Sequence, residues 1–584
     1  MVGAARFSLR DYGCRIYVCF ERFLPAVFGC IIGTVVCFSS LLLSGFSLYQ
    51  VDLGDSRFNH FLLEITYRTF PRIFLSWDAQ FFFPIDKSLG FSDLLWGVAV
   101  PYLLLRELGF SENVSFGIWM ILGGIVTYFL AYNAIRALVK VDRISAALGA
   151  FVFAYGAPRT AHIGHQQLWV HWFGLIATWG WAMLIAKLYN YSSQQHLLVH
   201  EDKTVRSSVR FWLILSSICL VLQLYSGFYI AWFSGASLAV WTVVLVCFDP
   251  KFRKNICQYI GCEWRWLVLV FFTICLLVLP VLYGYFTAKV LAKPRTFSDT
   301  LGWLPGVTDL FYFGPSHFLY GSLSFIERLT PELQGSERQL GLGFITLGLV
   351  ALAIWVNRRN KFSRLTVLSC LLLLIIPMQI FFEGVSLWRT VNYLVPGAEA
   401  IRAPGRVMLV LLLPISCAFS VGFCLIRGYS ASIASLLGLF VLLEQFREIP
   451  AVDPIPVSSA IQSSAKALKD SSLNCRAFFL TNLGGIHPQW KYQIDAMWIS
   501  LYAGIPTLNG YSGTSPNGWD LHIANVHSRE AERRALSRAR SWLKLNNDSG
   551  LLLPPPVSSV PLQSVCWLRR GKGLVPRVQV RRLG

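Results

Sequence analysis

About eleven runs of apolar residues, each at or near the length that crosses a bilayer, constrain this chain more than any other feature. They fall at about 24–48, 115–135, 144–158, 166–188, 209–225, 226–248, 265–287, 339–356, 365–382, 405–427 and 430–447. A hydrocarbon core about 30 Å thick takes about 20 apolar helical residues to cross, and such runs are too long for strands. The composition agrees: 55% of the 584 residues are hydrophobic, and the mean hydropathy of +0.53 exceeds what a soluble core of this size needs. The expected class is an α-helical polytopic membrane protein. The first run is too long for a signal-peptide core and no small-residue cleavage site follows it, so it reads as a retained span.

A net charge of +20 would suggest nucleic acid in a soluble domain. Here Lys and Arg sit mostly in short loops between apolar runs, where they orient the chain in the bilayer, and nucleic acid is excluded as a partner. The N-terminal Arg6, Arg10, Arg15 and Arg22 go to the cytoplasm. The same side receives Arg136, Lys140 and Arg143, then Lys203, Arg206 and Arg210, then Lys251, Arg253 and Lys254, and finally Arg358, Arg359, Lys361 and Arg364. Counting the short, Pro101-containing run 94–106 as a span would invert these charges, so it reads as an interfacial or re-entrant helix. Residues 49–114 and 288–338 then form outer loops of a membrane domain over 1–449, and 450–584 form a small α/β region on the same outer side.

The outer segments concentrate the acids. In YQVDLGDSRFNHFLLEITYRTF, 49–70, apolar residues recur at helical spacing from Ser56 to Phe70, which predicts an amphipathic helix lying along the interface with Asp55 at or just before its first turn. Asp52, Arg57, Asn59 and Glu64 accompany it, and Asp78 and Asp93 follow among large apolar residues that suggest a loop folded over a cavity. The segment FAYGAPRTAHIGHQQLWVHW brings His165 and Gln166 to the same face as hydrogen-bonding groups. Arg402 and Arg406 precede a span on the outer side, against the usual charge rule; a bound phosphate explains them, and so does pairing with Glu383 or Glu399. Most cysteines lie in apolar runs and act as small hydrophobes. Cys475 and Cys566 are clearly outside, where an oxidising compartment would let them pair.

The order of these pieces, with GDSRFNHFLLE after the first span, then SWDAQFFFP, SDLLWG, FAYGAPRTAHIGHQQL, YSGFY, RAPGR and NGYSG, resembles the GT-C superfamily of polytopic glycosyltransferases, including the YfhO-like bacterial membrane proteins. The resemblance implies transfer of a sugar from a polyprenyl-phosphate donor to an envelope glycan, lipid or protein acceptor, with inversion, at the outer face of a bacterial inner membrane. It assigns the base to Asp55 first and Asp52 second. Substrate contacts are expected from Arg57, Asn59, Glu64, Asp78, Asp93, His165, Gln166, Arg402 and Arg406. No Asp-Asp or Asp-Glu dyad follows the first span, which leaves a divalent cation, magnesium or manganese, open. The competing classes are a flippase or transporter of a lipid-linked sugar and a catalytically silent envelope-assembly protein; charge crowded on one face, rather than at the bilayer midplane, favours surface chemistry.

Overall fold

The computed structural model describes residues 9–190, 199–322, 335–379, 385–483, 488–522, 525–548, 565–570 and 578–583. Each apolar run carries a helix. Seven helices among the described residues are long and apolar enough to cross a membrane: Phe23–Leu43, Glu112–Val139, Gln166–Tyr189, Val205–Ser226, Phe228–Phe248, Pro250–Leu291 and Pro404–Tyr429. The remaining four expected spans are shorter, at 13 residues for Arg143–Tyr155 and Phe344–Val356, 15 for Lys361–Ile375 and 14 for Ala431–Glu444. At 1.5 Å per residue these reach only about 20 Å, so on their own they fall short of the core.

Pro250–Leu291 errs the other way. Its 42 residues extend about 63 Å, twice the core thickness. Leu269, Phe272 and Leu276 on its middle turns are exposed, as a lipid-facing surface requires. Beyond the membrane its last turns carry the chain on to Arg295.

The helices sort the loops onto two faces. Asp142 caps Arg143–Tyr155 through the Ile144 and Ser145 amides and pairs with Arg427 at 2.7 Å. Asp249 caps Pro250–Leu291 through Lys251, accepts from the Tyr189 hydroxyl at 2.9 Å and lies 3.6 Å from Lys361. The expected cytoplasmic loops around 250 and 360 thus meet each other, and the one around 140 meets the end of the Pro404–Tyr429 helix at Arg427. The opposite ends of the helices leaving those loops carry Arg159, Phe228 and Arg406, and there the acid-rich segments gather.

Two short strands tie the ends of the membrane part together: β1 (Tyr49–Gln50) pairs antiparallel with β2 (Ala451–Val452), Tyr49 opposite Val452. After β2 the chain forms a four-stranded sheet of β3 (Ala477–Leu483), β4 (Asn525–Val526), β5 (Val565–Arg570) and β6 (Val578–Arg582), in the order β4-β3-β5-β6. Only the β5–β6 pair is antiparallel. β3 begins AFFL, and all four side chains are buried, because helices cover both faces of a parallel strand. A basic helix, Arg529–Asp548, joins the sheet in this region, as an α/β reading expects. Cys475 and Cys566 form a disulfide between the starts of β3 and β5.

The Asp55–Thr69 helix departs from expectation. Every residue from Ser56 to Thr66 is buried, polar ones included. It does not lie along a lipid interface, because the Gln489–Ala503 helix of the C-terminal region covers it. Arg57 meets Asp495 at 2.8 Å with both side chains almost fully buried, and Trp498 donates to the Arg57 carbonyl. Periodicity identified the helix; only the later chain supplied the wall over its polar side. The 94–106 run forms a short turn at Trp96–Val98 and a helix at Val100–Glu107, in keeping with a non-spanning element.

Candidate functional site

Asp55 is the first residue of its helix, next to the free amide groups of the first turn, where a carboxylate is electrostatically favoured. Its Oδ1 accepts a hydrogen bond from the Tyr511 hydroxyl at 2.6 Å, and its Oδ2 lies 3.3 Å from His165 Nδ1. The side chain remains 35% exposed, open enough to meet a substrate. Beside it, Asp52 accepts from the Gly54 amide at 2.7 Å and is half-buried.

His165 bridges to a second carboxylate. Its Nε2 lies 3.2 Å from Glu337 Oε1, while His162 Nε2 approaches Glu337 Oε2 at 3.4 Å. Arg406 closes the cluster bidentately: Nε donates to Glu337 Oε2 at 2.9 Å and Nη2 to Oε1. Burial alone would raise the Glu337 carboxyl, but Arg406 and the two imidazoles hold it well below the usual carboxylate range. Glu337 is the acid that sequence reasoning missed. The signal available was its place at the end of the long outer loop 288–338, which is also rich in aromatics and turn residues, since loops of that length are usually functional.

The guanidinium of Arg406 stacks 4.5 Å over the Tyr229 ring, and the Tyr229 hydroxyl accepts from the Arg402 amide at 2.9 Å. A continuous series of contacts therefore links Asp55, His165, Glu337, Arg406, Tyr229 and Arg402. The two arginines do different work. Arg406 is buried with its charge spent on Glu337, so it presents no free fork to a phosphate. Arg402 is half-exposed over the Trp303 ring at 4.5 Å. Arg295 joins it, donating to the carbonyls of Ala400 and Gly513. Burial, and repulsion from Arg402 as a further cause, pull the Arg295 guanidinium below its ordinary value. Among the described residues neither Arg295 nor Arg402 has a carboxylate at ion-pair distance; Glu399 is paired to Lys289, and Glu383 lies outside the described residues.

Asn59 and Gln166 are both buried and lock two segments together. Asn59 Nδ2 donates to Gln166 Oε1, and Gln166 Nε2 to Ser56 Oγ, each at 2.9 Å. They orient His165 and Asp55. Asp93 accepts from the Phe228 amide at 2.7 Å, supplying the anion that Gly227 cannot at the start of the Phe228–Phe248 helix. Burial raises its carboxyl, against the Phe228 amide, Arg406 and His165.

Three expected substrate contacts are instead occupied by the scaffold. Arg57 is committed to Asp495. Glu64, fully buried, accepts from Tyr102 at 2.6 Å, Arg106 at 3.0 Å and Arg68 at 2.8 Å. Asp78 closes its own turn through the Gln80 amide at 2.8 Å and the Ser88 hydroxyl at 3.3 Å. For metals, the described residues contain no group of three or more His, Cys, Asp or Glu side chains able to hold an ion. His165 lies between the two site carboxylates, and Arg406 already occupies Glu337.

No family model matches the sequence, and no curated protein matches it. Solved structures do. The chain is similar to the archaeal oligosaccharyltransferase AglB from Archaeoglobus fulgidus, solved with an inhibitory peptide and a dolichol-phosphate: 10% identity, 94% of this chain and 70% of that one, TM-score 0.52. It is also similar to the arabinofuranosyltransferase AftD from Mycobacteria, with 12% identity over 84% of this chain and 32% of that one and a TM-score of 0.44. ArnT from Cupriavidus metallidurans follows at 12% identity, 93% and 92% coverage and a TM-score of 0.33. At these identities the likeness is one of fold.

Proposed function

We propose, from the premise that this chain has the GT-C fold, that it is a membrane glycosyltransferase moving a sugar from a polyprenyl-phosphate donor to an acceptor hydroxyl. Asp55 takes the acceptor proton as that oxygen attacks the anomeric carbon from the face opposite the phosphate. The new glycosidic bond forms, the bond from carbon to phosphate oxygen breaks, and the configuration inverts. Polyprenyl phosphate leaves with the negative charge that grows in the transition state, and Arg402 and Arg295 meet that charge. Two cations that repel each other, with no carboxylate at ion-pair distance of either among the described residues, are ready for such an anion.

The observation that carries the reading is the tethering of Asp55. A half-open carboxylate is aimed by Tyr511 and His165, and His165 is in turn fixed by Glu337 and Arg406. A base must be oriented within hydrogen-bond reach of its proton, and this arrangement does so. The dolichol-phosphate in the AglB structure is of the same lipid-phosphate class as the carrier that leaves in this proposal. The positive-inside rule puts the site on the non-cytoplasmic side of the membrane.

The test is transfer from a radiolabelled polyprenyl-phosphate sugar in proteoliposomes. Wild type is expected to yield a new glycoside, and Asp55→Asn to reduce its formation at least about 100-fold, the lower range for general-base loss. Wild-type transfer rates in Asp55→Asn, or donor that crosses the bilayer unchanged, would overturn the proposal.

A further inference from the structure

Trp490 lies outside the membrane helices, in the first turn of the Gln489–Ala503 helix, and is 38% exposed. Lys491 Nζ lies 5.4 Å from its ring centroid, and the ring's other contacts are at the mouth of the site. The ring stacks on Tyr511 with centroids 5.7 Å apart and planes at 28°, and Tyr511 is the residue whose hydroxyl holds Asp55. Its edge lies against Gly54, the residue before Asp55: a methyl group there would stand 2.4 Å from Trp490 Cη2 and Cζ3. Glycine at 54 is therefore what allows the indole to lie against the residue before Asp55. Phe58 packs edge-on against the far side of Tyr511, with centroids 5.3 Å apart, and fixes the wall.

Resting on the glycosyltransferase reading above, we propose that Trp490 and Tyr511 form the acceptor subsite and that the acceptor is a carbohydrate. A sugar ring offers an apolar face of C–H groups and a rim of hydroxyls. Trp490 presents a flat apolar surface for the first, and Asp52 and Asp55, both half-buried beside it, present acceptors for the second. A hydroxyl of a ring seated on this wall lies next to the base. A peptide would need a run of backbone donors and acceptors, and the stacked Trp490 and Tyr511 rings offer none.

Saturation-transfer NMR on the full-length protein in nanodiscs separates this proposal from its premise. The probes are methyl α-D-mannopyranoside, methyl α-D-arabinofuranoside and a serine-containing hexapeptide. Wild type is expected to saturate the ring C–H protons of at least one glycoside and not the peptide. Trp490→Ala should reduce that signal at least about fivefold, and Trp490→Phe, which keeps a flat ring, should restore most of it. In the transfer assay Trp490→Ala should raise the acceptor KM about tenfold, the change falling on KM rather than kcat. No glycoside signal in wild type, a signal indifferent to Trp490→Ala, or saturation of the peptide alone would overturn the subsite. Failure of the glycosyltransferase reading appears differently, as no Asp55-dependent product in the transfer assay, with the NMR result unaffected.

Discussion

The Tyr511 hydroxyl donates to Asp55 Oδ1 at 2.6 Å across a sequence separation of 456 residues. The first loop and the C-terminal region therefore build one site together. Hydrogen bonds to charged groups contribute about 1.5–3 kcal/mol, so Tyr511→Phe is expected to lower kcat/KM for transfer by about 10- to 100-fold. The ring and its stacking remain, so the melting temperature in detergent should stay within a few degrees of wild type. Unchanged transfer in Tyr511→Phe would remove Tyr511 from the machinery.

Glu337 and Arg406 form a buried pair with side chains 6% and 7% exposed. Removing one partner of such a pair strands the other charge and costs about 3–5 kcal/mol. Glu337→Gln should therefore lower thermal stability markedly, and adding Arg406→Met should recover much of the loss. The pH dependence has a definite sign. Glu337 titrates lower in the folded protein than in the unfolded chain, so the unfolded state binds more protons between the two values. Its stabilisation is complete above the ordinary Glu value of about 4.3 and is lost as pH falls towards the lower folded value. The gap in melting temperature between wild type and Glu337→Gln should be flat from about pH 8 to pH 5 and shrink only below about pH 4.

Arg402 and Arg295 should separate from Arg406 in kinetics. Arg402→Ala is expected to raise the donor KM, and to weaken product inhibition by polyprenyl phosphate, by about 10-fold or more, the worth of a charge-assisted contact. Arg295→Ala should behave in the same direction. The same kinetic series tests the point: equal product inhibition in wild type and both variants would move the phosphate elsewhere.

The C-terminal region should be held down by Arg57 and Asp495. Asp495→Asn leaves a buried guanidinium unpaired, at a cost of about 3–5 kcal/mol. Limited proteolysis is expected to cut before the Gln489–Ala503 helix in the variant under conditions where wild type is intact. The combination Arg57→Met with Asp495→Leu should restore resistance. Equal resistance in the single variant and wild type would show that other contacts suffice.

The sequence by itself showed which segments form apolar helices of membrane-spanning or near-spanning length and how the basic loops alternate between them. Burial in lipid is decided almost residue by residue, by side-chain polarity and run length, so the helices from Phe23 to Glu444 and the basic loops near Arg143 and Lys361 were legible without knowing any contact. The helix beginning at Asp55 and the face holding His165, Arg402 and Arg406 were legible for the same reason. Tertiary structure alone decided how charge was spent. It gave Arg406 to Glu337 and Arg57 to Asp495, buried Glu64 among Tyr102, Arg68 and Arg106, brought Tyr511 to the carboxylate of Asp55 with Trp490 stacked on it, and fastened Arg295 to the Ala400 and Gly513 carbonyls. An ion pair or a stacked ring depends on distances of a few ångströms between residues hundreds apart in the chain. Local composition holds no record of those distances.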